Sequence, residues 1–156
     1  MKQLQALLAS CVLVALSLTT SCSSVWWKPA PGATWVTQET GMVSERVLWV
    51  VCENAMVKQS FPVLAKEFDP KTREAHSGWS VDLHPFKNEG FRERAVIGYD
   101  LGSSGKLRIR VRVEREVNEN LARPLDPSLA EWAREADNAG RAQVLMQTII
   151  STLATR

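Results

Sequence analysis

One segment in the second half of the chain constrains the fold more than any other. Between Lys106 and Glu114, apolar and charged residues alternate strictly. Because successive side chains of a β-strand point to opposite faces of a sheet, this alternation predicts a strand with one apolar and one charged face. The apolar set is Leu107, Ile109, Val111 and Val113, and the charged set is Lys106, Arg108, Arg110, Arg112 and Glu114.

The segment before it predicts the other half of a β-hairpin. Glycines and serines dominate residues 101–105, which favours a tight turn, and residues 91–100 predict the preceding strand. A slip of one residue would mix apolar with charged partners, so we expect the alternation to specify the register. The expected pairs are Tyr99 with Leu107, Ile97 with Ile109 and Ala95 with Val111 on the apolar face, and Gly98 with Arg108, Val96 with Arg110, Arg94 with Arg112 and Arg92 with Glu114 on the other face.

Two further strands are predicted upstream, over residues 62–68 and 73–83. In the second of these, apolar residues again alternate with polar ones. The alternation predicts that Trp79, Val81 and Leu83 face the core.

Helices are predicted at both ends of the domain. Ser44 is a good N-cap for a helix that ends near Gln59, and Asp137 or Asn138 begins the last helix. Asp126-Pro127 is expected to begin a short helix that carries Trp132. Residues 41–156 therefore predict one α+β domain, with helices on one face of a four-stranded antiparallel sheet in the order α-β-β-β-β-α.

The amino-terminal segment has the pattern of a targeting signal. Lys2 precedes an apolar run over residues 7–16, which is shorter than the roughly 20 residues that a membrane-spanning helix needs. The run leads into Leu18-Thr19-Thr20-Ser21-Cys22, which resembles the lipobox of bacterial lipoproteins, although Thr19 stands where that family most often has Leu or Val. An N-terminal membrane anchor is the alternative interpretation.

The lipoprotein resemblance implies that residues 1–21 are a signal peptide and that Cys22 is acylated. In that family an Asp after the Cys often signals retention in the inner membrane. Ser23 stands at that position here, which implies the periplasmic face of the outer membrane. Two or more acyl chains anchor a protein stably, so the resemblance implies a cell-envelope protein attached through lipid alone.

Residues 22–40 have no regular period and are rich in Ser, Thr, Pro and Gly, which predicts a flexible tether. Trp26, Trp27 and Lys28 follow the proposed lipid closely. Tryptophan favours the membrane–water interface, so we expect these three residues to contact it. Packing of the rings against the domain, or binding of a partner, are the alternatives.

The order of elements, the length and the lipid tether give residues 41–156 a similarity to the helix-grip domains of BamC, a lipoprotein of the outer-membrane β-barrel assembly machinery. The similarity includes no diagnostic motif, so no functional residue is transferred from it. A function taken from this similarity would rest on fold analogy alone.

Composition and residue spacing favour a protein without catalytic residues, cofactor or metal. The only histidines, His76 and His84, are too far apart on one predicted strand to share a metal. Removal of the leader and acylation of Cys22 leave Cys52 without a disulfide partner. A net charge of +2 is too balanced for a dedicated nucleic-acid binder, and no aromatic residues are expected among the arginines.

The charged face of the predicted hairpin is the strongest candidate for a binding site. Its arginines are Arg92, Arg94, Arg108, Arg110 and Arg112. Arginine binds phosphate and carboxylate groups in a bidentate manner, so this face could bind an envelope protein or an anionic polymer. A merely solvated face is the alternative. We therefore predict a lipid-anchored accessory or scaffold protein; the alternatives are a small enzyme or carrier with a cleft between helices and sheet, and a purely structural lipoprotein.

Overall fold

In the computed structural model, which describes residues 32–102 and 105–155, an antiparallel sheet of six strands combines with two α-helices. The strands are β1 (Val36–Thr40), β2 (Glu74–His76), β3 (Ser80–His84), β4 (Glu89–Leu101), β5 (Leu107–Asn118) and β6 (Trp132–Arg134), and the helices are α1 (Glu45–Lys58) and α2 (Ala139–Ala154). The predicted α+β class is confirmed. The predicted count of four strands and their order are wrong, because the observed order is β-α-β-β-β-β-β-α.

The six strands fill only four positions across the sheet. The long strands β4 and β5 form the centre. Along the outer edge of β5, β1 pairs with residues 107–111 and β6 with residues 116–118. Along the outer edge of β4, β2 pairs with residues 96–98 and β3 with residues 89–93. Each outer position is therefore divided between two short strands.

Two predicted strands have a different structure. The segment over residues 73–83 is interrupted after His76, because the Ser77 hydroxyl accepts a hydrogen bond from the Ala95 amide and itself donates to the Gly78 carbonyl. Residues 62–68 form no strand. Their backbone lies beside this interruption, where the Gly78 amide donates to the Pro62 carbonyl at 2.7 Å.

Both helices cover the same face of the sheet. Ser44 caps α1 through a hydrogen bond to the Val47 amide, and Asn138 caps α2 through the Arg141 amide, as the sequence predicted. The buried apolar side chains of the helices meet those of the sheet in one cluster, which includes Leu48, Val51, Cys52, Met56, Ala95, Ile97, Ile109, Val111, Val113, Ala142, Leu145, Met146 and Ile149.

The hairpin register differs from the predicted one by two residues. Tyr99 lies opposite Ile109 rather than Leu107, and Arg94 lies opposite Glu114 rather than Arg112. A shift of two leaves every residue on its predicted face, since side chains alternate with a period of two. It also replaces the expected like-charge pair with an ion pair, which is favourable across strands.

Three other segments also differ from the sequence prediction. Trp132 lies in β6, and the predicted helix before it is only a 3₁₀ turn over Pro127–Leu129. Val36–Thr40, placed in the tether by the sequence analysis, forms the edge strand β1. The ordered domain therefore begins before Gly41. Neither α-helix in the described part of the chain has the length and apolar character that crossing a membrane requires.

Candidate partner-binding face

Strand alternation places the five candidate arginines together on the side of the sheet that faces away from the helices. We call this side the open face and the other the helix face. Ile97, Ile109 and Val111 are fully buried on the helix face, as predicted. The even-numbered residues of β4 and β5 point the other way, and they include Arg92, Arg94, Arg108, Arg110 and Arg112.

Every arginine of this set has a carboxylate partner. Side-chain nitrogens of Arg92 and Glu116 oxygens are 2.6 Å apart, and the corresponding distance is 2.5 Å for Arg94 and Glu114. The other partners are Asp100 for Arg108 at 2.7 Å, Glu74 for Arg110 at 2.8 Å and Glu114 for Arg112. Partly exposed pairs of this kind each contribute little to stability, so their effect on the face is collective.

Glu114 is the centre of this charge network. Its side chain is only 6% exposed, and the arginines around it are Arg94, Arg112 and, at 3.7 Å, Arg134 from β6. Burial alone would raise the pKa of the Glu114 carboxyl. The hydrogen bond and charge of Arg94, with the charges of Arg112 and Arg134, outweigh burial and lower this pKa below its usual value.

Asp137 connects the network to the beginning of the described chain. Its buried carboxylate binds Arg134 and lies 4.0 Å from Arg112. The same carboxylate accepts a hydrogen bond of 2.9 Å from the Thr34 amide. This contact holds the segment before β1 against the edge of the open face.

Tryptophan rings lie over four of the five candidate arginines of the open face. The Arg92 guanidinium lies 4.5 Å from the ring centre of Trp79 and 4.7 Å from that of Trp132. Trp79 also contacts Arg94 at 4.7 Å, and Trp35 lies 5.2 Å from Arg110 and 5.0 Å from Arg112. Such cation–π contacts hold the guanidinium planes in place. The expectation that no aromatic residue accompanies the arginines is wrong.

The predicted inward direction of β3 is also wrong. Val81 pairs with Arg92 and Leu83 with Gly90, so both side chains lie on the open face, where they are 45% and 42% exposed. Alternation groups residues by face, but it does not say which face is buried. The open face therefore combines arginine–carboxylate pairs, tryptophan rings and two exposed apolar side chains.

No metal site is found among the described residues, since no group of three or more His, Cys, Asp or Glu side chains converges. The two histidines also lie on different faces, against expectation, because the strand breaks between them. His76 lies 3.8 Å from Glu74 on the open face, whereas His84 packs edge-on against Phe91. Burial of Cys52 raises the pKa of its thiol to about 12, so this thiol is unreactive at neutral pH.

A depression of about 470 Å³ lies between α1 and residues 66–68, and none of the five candidate arginines lines it. A smaller one on the open face, about 240 Å³, is lined by Trp35, Thr37, Asp100, Arg108 and Arg110. The space between helices and sheet contains the apolar core.

The remaining predicted site residues, Cys22, Trp26, Trp27 and Lys28, lie outside the described residues. Comparison of the sequence with known protein families finds no matching family, and a search of curated proteins finds no match. The candidate site therefore rests on the geometry of the open face. The sequence analysis found its five arginines and missed Trp35, Trp79, Trp132, Arg134 and Asp137.

Proposed function

We propose that this protein is a non-enzymatic, lipid-anchored accessory or scaffold protein of the bacterial cell envelope, and that its open face binds another envelope protein. The observation that carries the proposal is the sheet face that neither described helix covers, in which tryptophan rings lie on ion-paired arginines. Tryptophan and arginine are enriched in the energetically dominant part of protein interfaces. Ordering of these side chains before binding lowers the entropy cost of association.

A protein partner agrees better with the charges of this face than an anionic polymer does. Each candidate arginine is already paired with a carboxylate. A polyanion would have to displace these carboxylates from the arginines, and their negative charges would repel it. A protein surface with its own mixture of charges and apolar groups can instead use the rings and the exposed Val81 and Leu83.

The lipid anchor is tested separately from the face. Cys22→Ala removes the only thiol that the proposed lipobox would acylate. We expect the variant to leave the detergent phase in a partitioning assay or to accumulate as unprocessed precursor. Equal partitioning and processing of variant and parent would contradict the anchor and leave the proposal for the open face standing.

The face is best tested through side chains that take no part in its ion pairs. Replacing Arg94 and Arg112 would leave the buried Glu114 with Arg134 alone, at 3.7 Å, so lost binding could reflect lost folding. The double variant Val81→Gln, Leu83→Gln keeps every arginine pair. We expect it to reduce recovery of the native partner with the intact protein from crosslinked membranes.

The matched control is Val57→Gln, Val144→Gln, which changes two exposed valines on the helices. The control should recover the same partner as the parent protein does. Equal recovery by the parent and both double variants would contradict binding at the open face.

A further inference from the structure

Two loop tips at one end of the sheet carry the most exposed large apolar side chains among the described residues. Phe86 is fully exposed in the 3₁₀ turn Pro85–Lys87 between β3 and β4, and Leu121 is 93% exposed after the end of β5. β4 begins and β5 ends at this end of the sheet, which we call the loop end. Exposure of such large apolar side chains to water is unfavourable, so their burial against a partner would be stabilising.

The two tips are held close to one another. Gly90, next to the β3–β4 turn, lies so near the Pro124 carbonyl oxygen that a Cβ at Gly90 would be 2.5 Å from it. The Asn118 side-chain amide nitrogen at the end of β5 donates to the backbone carbonyls of Arg123 and Pro124 at 3.2 and 3.0 Å. Both tips therefore project from one supported end of the sheet.

The chemistry of the tips fits an anionic lipid surface. Residues 84–88 and 121–125 contain the exposed cations Lys87 and Arg123 and no Asp or Glu. The nearest carboxylate to Arg123 among its ion pairs is that of Asp126, 4.0 Å away, whereas Lys87 has no ion pair within the described residues. Apolar side chains beside cations favour the headgroup region, where the apolar group is buried and the cation meets phosphate. At the opposite end of the sheet, exposed Met42 lines a depression together with residues of both charges, Glu45 and Arg73.

The direction of the chain brings the tether toward the same end. β1 is antiparallel to β5, so the chain followed backward from Thr40 to Val36 runs toward the loop end. The contact of Thr34 with Asp137 continues this path. Ten residue steps separate Gly32 from Cys22, a span of at most about 36 Å when fully extended. This direction and this span allow a lipid on Cys22 to hold the loop end near the membrane.

We propose that Phe86 and Leu121 insert into the headgroup region of the membrane that holds the Cys22 lipid, an inference that rests on the proposed lipid anchor. The loop end then faces the membrane. The open face lies along the side of the protein, where a neighbouring envelope protein can reach it.

The test uses the full-length processed protein, reconstituted into vesicles of phosphatidylethanolamine and phosphatidylglycerol. Phe86→Cys, Leu121→Cys and Met42→Cys are made one at a time and spin-labelled. Buried Cys52, with its raised thiol pKa, does not compete for the label. We expect the labels at 86 and 121 to collide more with oxygen and less with a water-soluble nickel chelate than the label at 42.

The two proposals fail in different ways. Protein that does not float with the vesicles would overturn the lipid anchor and the insertion that rests on it. Protein that floats, with labels at 86 and 121 as accessible to the nickel chelate as the label at 42, would overturn insertion alone. Circular dichroism of each labelled variant verifies that the fold is retained, which is expected because all three side chains are exposed.

Discussion

The two faces of the central hairpin are stabilised by different interactions, although they belong to the same residues of β4 and β5. On the helix face, Ile97 and Ile109 pack against Leu145 and other apolar side chains of the helices. On the open face, the intervening residues form ion pairs beneath tryptophan rings. Apolar packing is largely independent of pH and salt, whereas ion pairs respond to both. One alternating sequence can therefore form two layers whose stabilities differ in their response to pH and salt.

The hairpin strands themselves contribute one buried carboxylate to each face, and the two have different roles. Glu93 on the helix face binds Arg141 at 2.6 Å and the Asn138 side chain at 2.8 Å, which attaches the beginning of α2 to the sheet. Glu114 on the open face joins β4, β5 and β6 through its arginines. The first carboxylate supports the helix layer, and the second organises the surface that we propose for binding.

The largest change in stability is expected from the helix face. Ile109→Ala and Leu145→Ala each remove a fully buried side chain. We expect each variant to lose about 2–5 kcal/mol of unfolding free energy, because the vacated volume cannot be refilled. Urea denaturation at low and at high salt measures this loss, which should be the same at both. A neutral effect of both substitutions would contradict the assigned core.

A smaller change is expected when the open face loses its central carboxylate. Glu114→Gln leaves Arg94, Arg112 and Arg134 without their shared partner. We expect a loss of about 2–4 kcal/mol at neutral pH, below the value for a fully buried pair because the arginines are partly exposed. Glu116→Gln is the matched control and should cost less than about 1 kcal/mol. Equal losses in urea denaturation would contradict the central role of Glu114.

The stability of Glu114→Gln should also depend less on acid pH than the stability of the parent protein does. The pKa of Glu114 is lower in the folded protein than in the unfolded chain. The folded state therefore binds fewer protons, and the stability from Glu114 is present above the unfolded pKa and is lost as pH falls through the folded pKa. We expect a flatter acid limb of stability against pH for Glu114→Gln than for the parent. Parallel acid limbs would contradict the lowered pKa.

Removal of a covering ring should have a modest effect. Trp79→Ala removes the ring over Arg92 and Arg94 while their carboxylate partners remain. We expect a loss of about 1–3 kcal/mol, from the cation–π contacts together with the buried area of the ring. Thermal unfolding measures the loss. A variant as stable as the parent would show that the ring does not support the arginines.

The smallest stability effect is expected from the exposed apolar residues of the open face. Val81→Gln, Leu83→Gln should change the unfolding free energy by no more than about 1 kcal/mol, because both side chains are nearly half exposed. Urea denaturation of this double variant is the stability control for the binding experiment. A large loss would mean that these residues support the fold and that reduced binding by the variant has a structural cause.

Sequence alternation predicted the faces of the hairpin but not its register. Registers two residues apart give the same faces, so the apolar pattern cannot distinguish them. The observed register places Arg94 opposite Glu114 and Arg92 opposite Glu116. Cross-strand charge pairing was the signal in the sequence that could have made this distinction.

The candidate site was predicted only where it lies on the hairpin. Trp35 and Asp137 reach the open face from segments far from β4 and β5 in sequence, and local periodicity contains no information about such contacts. Trp79 shares its face with Arg92 only through the pairing of β3 with β4. Local pattern predicted the two helices and the hairpin strands β4 and β5, whereas the short outer strands and the composition of the open face required the tertiary structure.

Photocrosslinking in intact cells tests most directly whether the open face is the binding surface. A photoreactive amino acid replaces Val81 on the open face, and in a separate variant it replaces the comparably exposed Val144 on α2. We predict one discrete crosslinked protein from position 81 and none from position 144. The absence of a crosslink at position 81, or the same crosslinked protein from both positions, would contradict the open face as the binding surface.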